Sequence, residues 1–248
     1  MQDLPRLHCP QRLAPGVEVE LDEGQARYLG TVLRRSPGDG ARLFNGQDGE
    51  WRARISTLRK QRCTVALEER MVAPHAEPGP WLVFGLLKRD ATDLVVRLAT
   101  ELGAERLLPV TTRRTNAGHT NPARLAAIAT EAAEQCERLT VPPIEPVCTL
   151  VELLGGWEAM AGGRRLFAAI ERDPDAPAPA CATGETALLV GPEGGFAPEE
   201  LELLVRRPFV TPVSLGPRIL RAETAVAAGL ARLYFLASPR LDAHVEPR

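Results

Sequence analysis

The sequence predicts an α/β protein in which a mainly parallel sheet, covered by helices on both faces, follows a small β-barrel. Three observations carry this expectation. Residues 1–72 are short runs of alternating apolar and polar side chains broken by turn residues, as antiparallel strands require. Residues 74–80, PHAEPGP, place three prolines and a glycine in seven positions. From residue 81 onward, strand-like and helix-like segments alternate, the pattern of parallel strands joined by crossover helices. The expected division is a barrel over 1–73, a linker over 74–80 and an α/β domain over 81–248.

The elements follow in order. VEVEL (17–21) alternates, GDGARLF (38–44) leads from a turn into a strand, and Asn45-Gly46 with Asp48-Gly49 marks a hairpin before EWRARI. TVALEERM (64–71) closes the barrel set. WLVFGLL then reads as a buried strand, and DLVVRLATELGA (93–104) as a helix ending at Gly103. RLLPVTT is a second strand, and PARLAAIATEAAEQCERL a long helix with Asn121 before it and Pro122 in its first turn. A helix near 149–161, the strand RLFAAI (165–170) and a Pro/Ala-rich loop over 173–185 come next. ALLVG, the helix PEELELLVRR, the strand FVTPVSLG and a helix over about 224–237 complete the chain.

Bulk properties exclude several classes. With 44% hydrophobic and 25% charged residues, the 248-residue chain is not disordered. No apolar run reaches the length of a membrane span, and MQDLPRLHCPQR lacks the apolar centre of a signal peptide, so the expected compartment is the cytoplasm. The five cysteines (Cys9, Cys63, Cys136, Cys148, Cys181) are odd in number and scattered, without CxxC or a histidine at ligand spacing. Neither a disulfide framework nor a metal site is expected. A net charge of −2 argues against a nucleic-acid partner, but the average hides an asymmetry. Across residues 27–62, nine cations (Arg27, Arg34, Arg35, Arg42, Arg52, Arg54, Arg59, Lys60, Arg62) meet only Asp39, Asp48 and Glu50. Such a field attracts phosphates, although a solvated surface with scattered charge reads equally well.

Two glycine loops carry the chemistry. In LLVGPEGGF (188–196) a buried-looking strand runs into Gly191, Pro192, Glu193, Gly194 and Gly195, with no nucleophile or metal ligand nearby. In SLGPRILRAETA (214–225) a second strand runs into Gly216-Pro217. Ligands of open parallel sheets sit beyond the carboxyl ends of strands, where glycine lets the backbone approach them. One such loop alone reads as a plain strand-to-helix turn; two of them favour a shared ligand. GxxxxGK[ST] and a strand-borne GxGxxG are both absent, which disfavours a nucleotide-hydrolysing or dinucleotide-binding protein. Glu199 and Glu200 at the following helix start would repel a phosphate, so a flat base bearing a positive centre fits better.

LLVGPEGGFAPEEL followed by VSLGPRILRAETA resembles the paired C-terminal signatures of the 16S ribosomal RNA uridine N3-methyltransferase family, within the SPOUT class. YLGTVLRRSPGDGARLFNGQDGEWRARI is similar to that family's PUA-like barrel, and DLVVRLATELGAERLLPVTTRR and EAAEQCERLTVPPI to its central blocks. The resemblance implies a parallel sheet with a deep trefoil knot, a homodimer, S-adenosylmethionine as methyl donor, and 16S ribosomal RNA or the assembled small subunit as partner. It assigns the donor site to Ala169, Gly191, Pro192, Glu193, Gly194, Leu215, Gly216, Ile219 and Leu220. Arg221 is the leading candidate for stabilising charge on the ionising imide, or for gripping the target phosphate. Glu223 either accepts the proton or serves as first-turn helix charge. Arg6, Arg34, Arg35, Arg114 and Arg138 match basic positions expected to hold RNA. Three positions depart from the family pattern: Leu98 for a lysine, Glu137 for a glycine, and Ala197 for a serine or threonine. Competing readings are a SPOUT enzyme acting on another RNA and a catalytically silent assembly factor that keeps the fold.

Overall fold

The structure, a computed structural model, describes residues 4–116, 120–170, 177–179 and 185–237, with side chains as far as residue 234. The chain divides into two units, residues 1–77 with 133–141, and residues 78–132 with 142–248.

In the first unit, β1 (Arg6–His8), β2 (Glu18–Leu21), β3 (Gly40–Asn45), β4 (Gly49–Arg59) and β5 (Arg62–Val72) form a sheet in the order β1-β3-β4-β5-β2. All neighbours are antiparallel except β1 and β3. Alternate residues of the long β4–β5 hairpin turn inward, and Trp51, Ile55, Val65 and Leu67 join Leu7, Val19 and Leu43 in one core. Register shifts after Trp51 and Ile55 mark irregularities that bend such ribbons. No pairing of β1 with β2 closes the ring among the described strands, so the expected barrel takes the form of a five-stranded open sheet.

Residues 22–32 correct the all-strand reading of this segment. They form α1 (Glu23–Arg27) and a π-helical turn (Tyr28–Val32). The cause is local: the Asp22 carboxylate accepts from the Gln25 N–H at 2.8 Å, and the Gln25 side chain returns to the Asp22 N–H at 3.3 Å. Ala26 and Leu29 then face the core.

Residues 133–141 join this unit rather than the α/β domain. Ala133 and Leu139 pack with Phe44, and the Glu77 carboxylate accepts from the N–H groups of Leu139 and Thr140.

The second unit contains β6 (Trp81–Gly85), α2 (Arg89–Glu101), β7 (Arg106–Thr111), α3 (Pro122–Gln135), β8 (Cys148–Thr149) and α4 (Leu150–Ala161). It continues with β9 (Arg165–Ala169), β10 (Thr186–Val190), α5 (Pro198–Val205), β11 (Val210–Val213) and α6 (Ala222–Ala237). Six parallel strands lie in the order β11-β9-β10-β6-β7-β8. β10 therefore occupies the slot between β6 and β9, both earlier in the chain. Strand runs such as WLVFG are buried throughout, as a sheet covered on both sides requires. Trp81, Val83, Leu189 and Leu166 pack with Leu154 and Trp157 of α4 and Leu204 of α5. Opposite them, α6 lies on β10, where a Cβ on Gly229 would stand 2.6 Å from Leu188.

Two expectations need adjusting here. α3 stops at Gln135, four residues short of the expected end, because Glu137 turns to a left-handed φ of +62°. β8, only two residues long, gave no period to read. Most of the loop expected over 173–185, including Cys181, lies outside the described residues.

Candidate functional site

The site begins at β9, the strand flanked by β10 and β11. Ala169 is its last residue, paired in register with Val190 of β10 on one side and Val213 of β11 on the other. The three segments assigned to one ligand thus leave the sheet side by side: Ala169 itself, Gly191–Gly194 one residue past Val190, and Leu215–Leu220 two residues past Val213. The family resemblance groups Ala169 with both loops, but the residues alone cannot place β9 between the other two strands, because strand order is not written in local pattern.

Each loop is shaped by local chemistry. The Gly195 N–H donates to the Pro192 carbonyl at 2.8 Å, closing a turn that Gly195 completes at φ +67°. Gly216 adopts φ +121°, its N–H directed at the Ser214 hydroxyl at 3.3 Å. At both glycines, nothing stands within 4 Å of where a Cβ would be. Open space beside exposed main chain is a cradle that a side chain would fill. Elsewhere the loop is packed tightly. A Cβ on Gly85, at the end of β6, would stand 2.6 Å from the Pro192 ring and nitrogen, so Gly85 admits the loop against the sheet. The Ser214 N–H donates to the Pro177 carbonyl at 2.9 Å, fixing the start of the second loop.

A second set of contacts ties the first loop to the segment after β7. Arg114 donates from its guanidinium to the Gly194 carbonyl at 2.9 Å. The buried Glu200 carboxylate accepts from the Arg113 N–H and from the Ala197 N–H, both at 2.8 Å. Glu200 thus supplies the return half of a capping box, although Ala197 has no side-chain acceptor for the other half. Beside these links lies a cleft of about 250 Å³ with an apolar floor of Leu86, Leu87 and Pro192 and polar walls of Lys88, Arg114, Asn116 and Glu193. Gly85, Lys88 and Asn116 were not singled out by sequence, and Glu200 only as a charge at the helix start that would repel a phosphate. Gly85 directly after WLVF, and a glutamate three residues past a weak N-cap, are the signals that could have found Gly85 and Glu200.

The remaining candidates divide. Arg221 is exposed at the start of α6 and Glu223 half-buried in its first turn; neither makes an ion pair among the described residues. Ile219 is exposed and Leu220 half-buried, both beside the second bend. In the N-terminal unit, Arg34 is exposed at a left-handed φ of +53°, and the Arg35 N–H donates to the Leu29 carbonyl. Arg6 and Arg138 do not fit the role expected of them. Arg6 is 6% exposed, its guanidinium paired with Glu50 at 2.6 Å, bonded to the carbonyls of Ala133 and Arg138, and stacked 3.5 Å from the Phe44 ring. Arg138 is 9% exposed and donates to the Thr140 hydroxyl. Guanidinium groups buried in this way organise the unit's interior and are screened from a phosphate in solution.

Among the described residues no cluster of three histidine, cysteine or acidic side chains could hold a metal, and no helix is long and apolar enough to cross a membrane.

Comparison with known proteins agrees with this geometry. Residues 77–234 match the family model of an RNA methyltransferase domain, and residues 21–68 that of an RNA methyltransferase PUA domain. The chain is 34% identical over 239 residues to ribosomal RNA small subunit methyltransferase E of Rickettsia conorii, covering 94% of this chain and 96% of that one. Among solved structures, the ribosomal RNA small subunit methyltransferase E of Neisseria gonorrhoeae, bound to S-adenosyl methionine, is 30% identical with a TM-score of 0.80 over 95% of this chain and 98% of that one. A methyltransferase from Legionella pneumophila, also in complex with that cofactor, is 27% identical with a TM-score of 0.79 over the same shares.

Proposed function

Because the chain belongs to the ribosomal RNA small subunit methyltransferase E family, we propose that it methylates N3 of a specific uridine in 16S ribosomal RNA, drawing the methyl group from S-adenosylmethionine. The observation that carries this reading is the convergence of three chain segments on the carboxyl end of β9, two of them glycine bends with open space beside the main chain. A donor with a flat base, a sugar and a sulfonium suits such a cradle, and no anion-binding loop competes for it. Ala169, Gly191–Gly194, Leu215, Gly216, Ile219 and Leu220 would hold it by main-chain contact. When bound, the donor supplies a methyl carbon already activated by the sulfonium.

The rest of the chemistry falls to this chain. Uracil N3 must lose its proton before it can attack, so a cation near O2 or O4 lowers the cost of the imide anion. Arg221, next after the second bend and without an ion pair among the described residues, takes that role, and Glu223, in the first turn of α6, receives the proton. Arg114 and Lys88, on the walls of the cleft beside Gly194, hold the target's backbone. The five-stranded unit adds RNA affinity. The insertion of β10 between β6 and β9 supports a knotted path, and the family's homodimer and cytoplasmic setting complete the reading.

Mass-spectrometric mapping of 16S ribosomal RNA tests it. Cells lacking the protein should lose one N3-methyluridine, restored by the wild-type chain and not by Arg221→Ala. An unchanged modification map would refute the activity; full restoration by Arg221→Ala would remove that residue from the mechanism.

A further inference from the structure

Apart from Arg12, Arg35, Arg70 and Arg138, the cations of the N-terminal unit fall into two sets. Arg6, Arg42, Arg52 and Arg54 are each paired with a glutamate: Glu50 for the first two, Glu69 and Glu68 for the others. Arg27, Arg34, Arg59, Lys60 and Arg62 have no ion pair among the described residues, and all five are exposed. These five come from two separate pieces of chain, α1 with its π-helical turn and the tip of the β4–β5 hairpin. The structure brings the pieces together. A Cβ on Gly30, in the middle of the turn, would stand 3.6 Å from the side chain of Leu58, the residue before Arg59. Arg59 in turn faces Arg62 across the hairpin. Like charges placed opposite each other without a counter-ion destabilise a hairpin unless something outside the chain neutralises them. Of the carboxylates beside this helix, Asp22 is occupied by its cap, and Glu23, in the first turn of α1, makes no ion pair with these cations among the described residues.

Two further features sit on this surface. The π-helical turn leaves Tyr28 38% and Val32 64% exposed, one residue and five residues after Arg27. Turns of this class are uncommon and concentrate where a surface is used. In the described chain three non-glycine residues take a left-handed backbone, and two of them, Arg34 (φ +53°) and Lys60 (φ +41°), are cations of this set. A hairpin tip is ordinarily given to Asn or Gly; here a lysine bears the strain.

We propose that this end of the N-terminal sheet binds an unpaired stretch of RNA, with a base stacked on the Tyr28 ring and the five cations along the phosphates. An exposed aromatic ring among unpaired cations suits single strands, because every base offers a face to stack while only the backbone carries charge. A duplex hides its bases and would use the cations alone. The inference deepens the RNA-methyltransferase reading and rests on it for the choice of RNA as ligand.

Fluorescence anisotropy with a labelled single-stranded RNA oligonucleotide, and with the same strand annealed to its complement, tests the surface on the full chain without cofactor. Tyr28→Ala should weaken single-strand binding about 5- to 150-fold, with Tyr28→Phe restoring it, while duplex binding changes little. Lys60→Gln with Arg62→Gln should flatten the single-strand salt dependence by about 1.4 in log–log slope, and Arg52→Gln on the paired face should not. Tyr28→Ala binding both RNAs like the wild type, or an unchanged slope in the double variant, overturns the proposal. Thermal unfolding of each variant separates loss of fold from loss of contact. The outcome is independent of methyl transfer: an inactive chain that still shows these effects sinks the enzyme and keeps the surface, and an active chain without them does the reverse.

Discussion

The two units of this molecule compensate buried charge differently: Arg6 has a buried carboxylate partner in Glu50, whereas Arg164 is held mainly by carbonyls and a ring. The five-stranded unit places charge inside itself, with Arg6 and Glu50 buried against Phe44. The α/β unit packs an apolar core around Trp81, Leu154, Trp157 and Leu189. Its buried Arg164 lies at the amino end of β9, stacked 4.4 Å from Trp81 and bonded to the carbonyls of Gly79 and Thr186, and its buried Glu200 lies beside the carboxyl edge of the sheet. In the first, removing one side chain strands another. In the second, the candidate site is built from main chain, and the side chains that matter are the missing ones.

The sharpest way to break this contrast is Glu50→Ala. It leaves Arg6 buried and Arg42 without its inner partner, and should cost about 3–5 kcal/mol in urea unfolding of the first unit. Replacing Arg6 and Glu50 together by apolar residues should recover much of that loss; strictly additive costs would show that the pair is not coupled. In the second unit the comparable disturbance is steric. Gly229→Ala drives a methyl into Leu188 and should cost about 1–3 kcal/mol. Gly155→Ala, on an exposed face of α4 with nothing within 4 Å, should gain about 0.5–1 kcal/mol. Equal effects at the two glycines would mean that packing does not distinguish them.

Smaller effects sharpen the picture of the first unit. Glu137 holds φ +62° and pairs with Arg42 across 3.1 Å while 65% of its side chain remains exposed. Glu137→Gly removes strain of about 1–2 kcal/mol and a partly solvated pair worth about 0–1 kcal/mol, so the variant should melt slightly higher. A lower melting temperature would assign the ion pair the greater weight. The smallest effect is a pH dependence. Burial, and then the neighbouring Arg6 charge, hold the His8 imidazole below its ordinary pKa. The unfolded chain then takes up a proton that the folded chain refuses, so stability is complete above the ordinary histidine range and falls as pH drops towards the lowered value. His8→Gln should flatten that slope, and a slope unchanged in the variant would place its origin elsewhere.

Much of this architecture is legible in the sequence, for reasons that differ by region. WLVFG, RLLPVT and TALLV are buried on both sides, and their unbroken apolar runs announce strands. Asn121 and Pro122 announce the start of α3, where the Asn121 side chain accepts from the Arg124 N–H. The end of α3 was hidden, because Glu137 occupies a conformation that glycine would have signalled. The helical turn over 23–32 was hidden by its setting among strands, although Asp22 and Gln25 spell a capping box. At the candidate site the two bends were readable from glycine alone. Their meeting beside Ala169 was implied by the family resemblance alone, since strand order is a long-range property that local pattern does not carry. Arg6 and Arg138 misled because an arginine buried inside a protein, Arg6 on carbonyls and Glu50 and Arg138 on the Thr140 hydroxyl, looks, in sequence, like one waiting for a phosphate.

The central claim is that Gly195 and Gly216, on bends either side of β9, shape one cradle for S-adenosylmethionine. Calorimetric titration of that compound into the wild type, Gly195→Ala and Gly216→Ala measures it directly. In each variant the free bend relaxes to avoid about 1–2 kcal/mol of left-handed strain, which binding must then restore; the prediction is saturable binding by the wild type and affinity about tenfold weaker in each variant, with the fold intact. Wild-type protein that takes up no ligand, or variants that bind as tightly as the wild type, would contradict it.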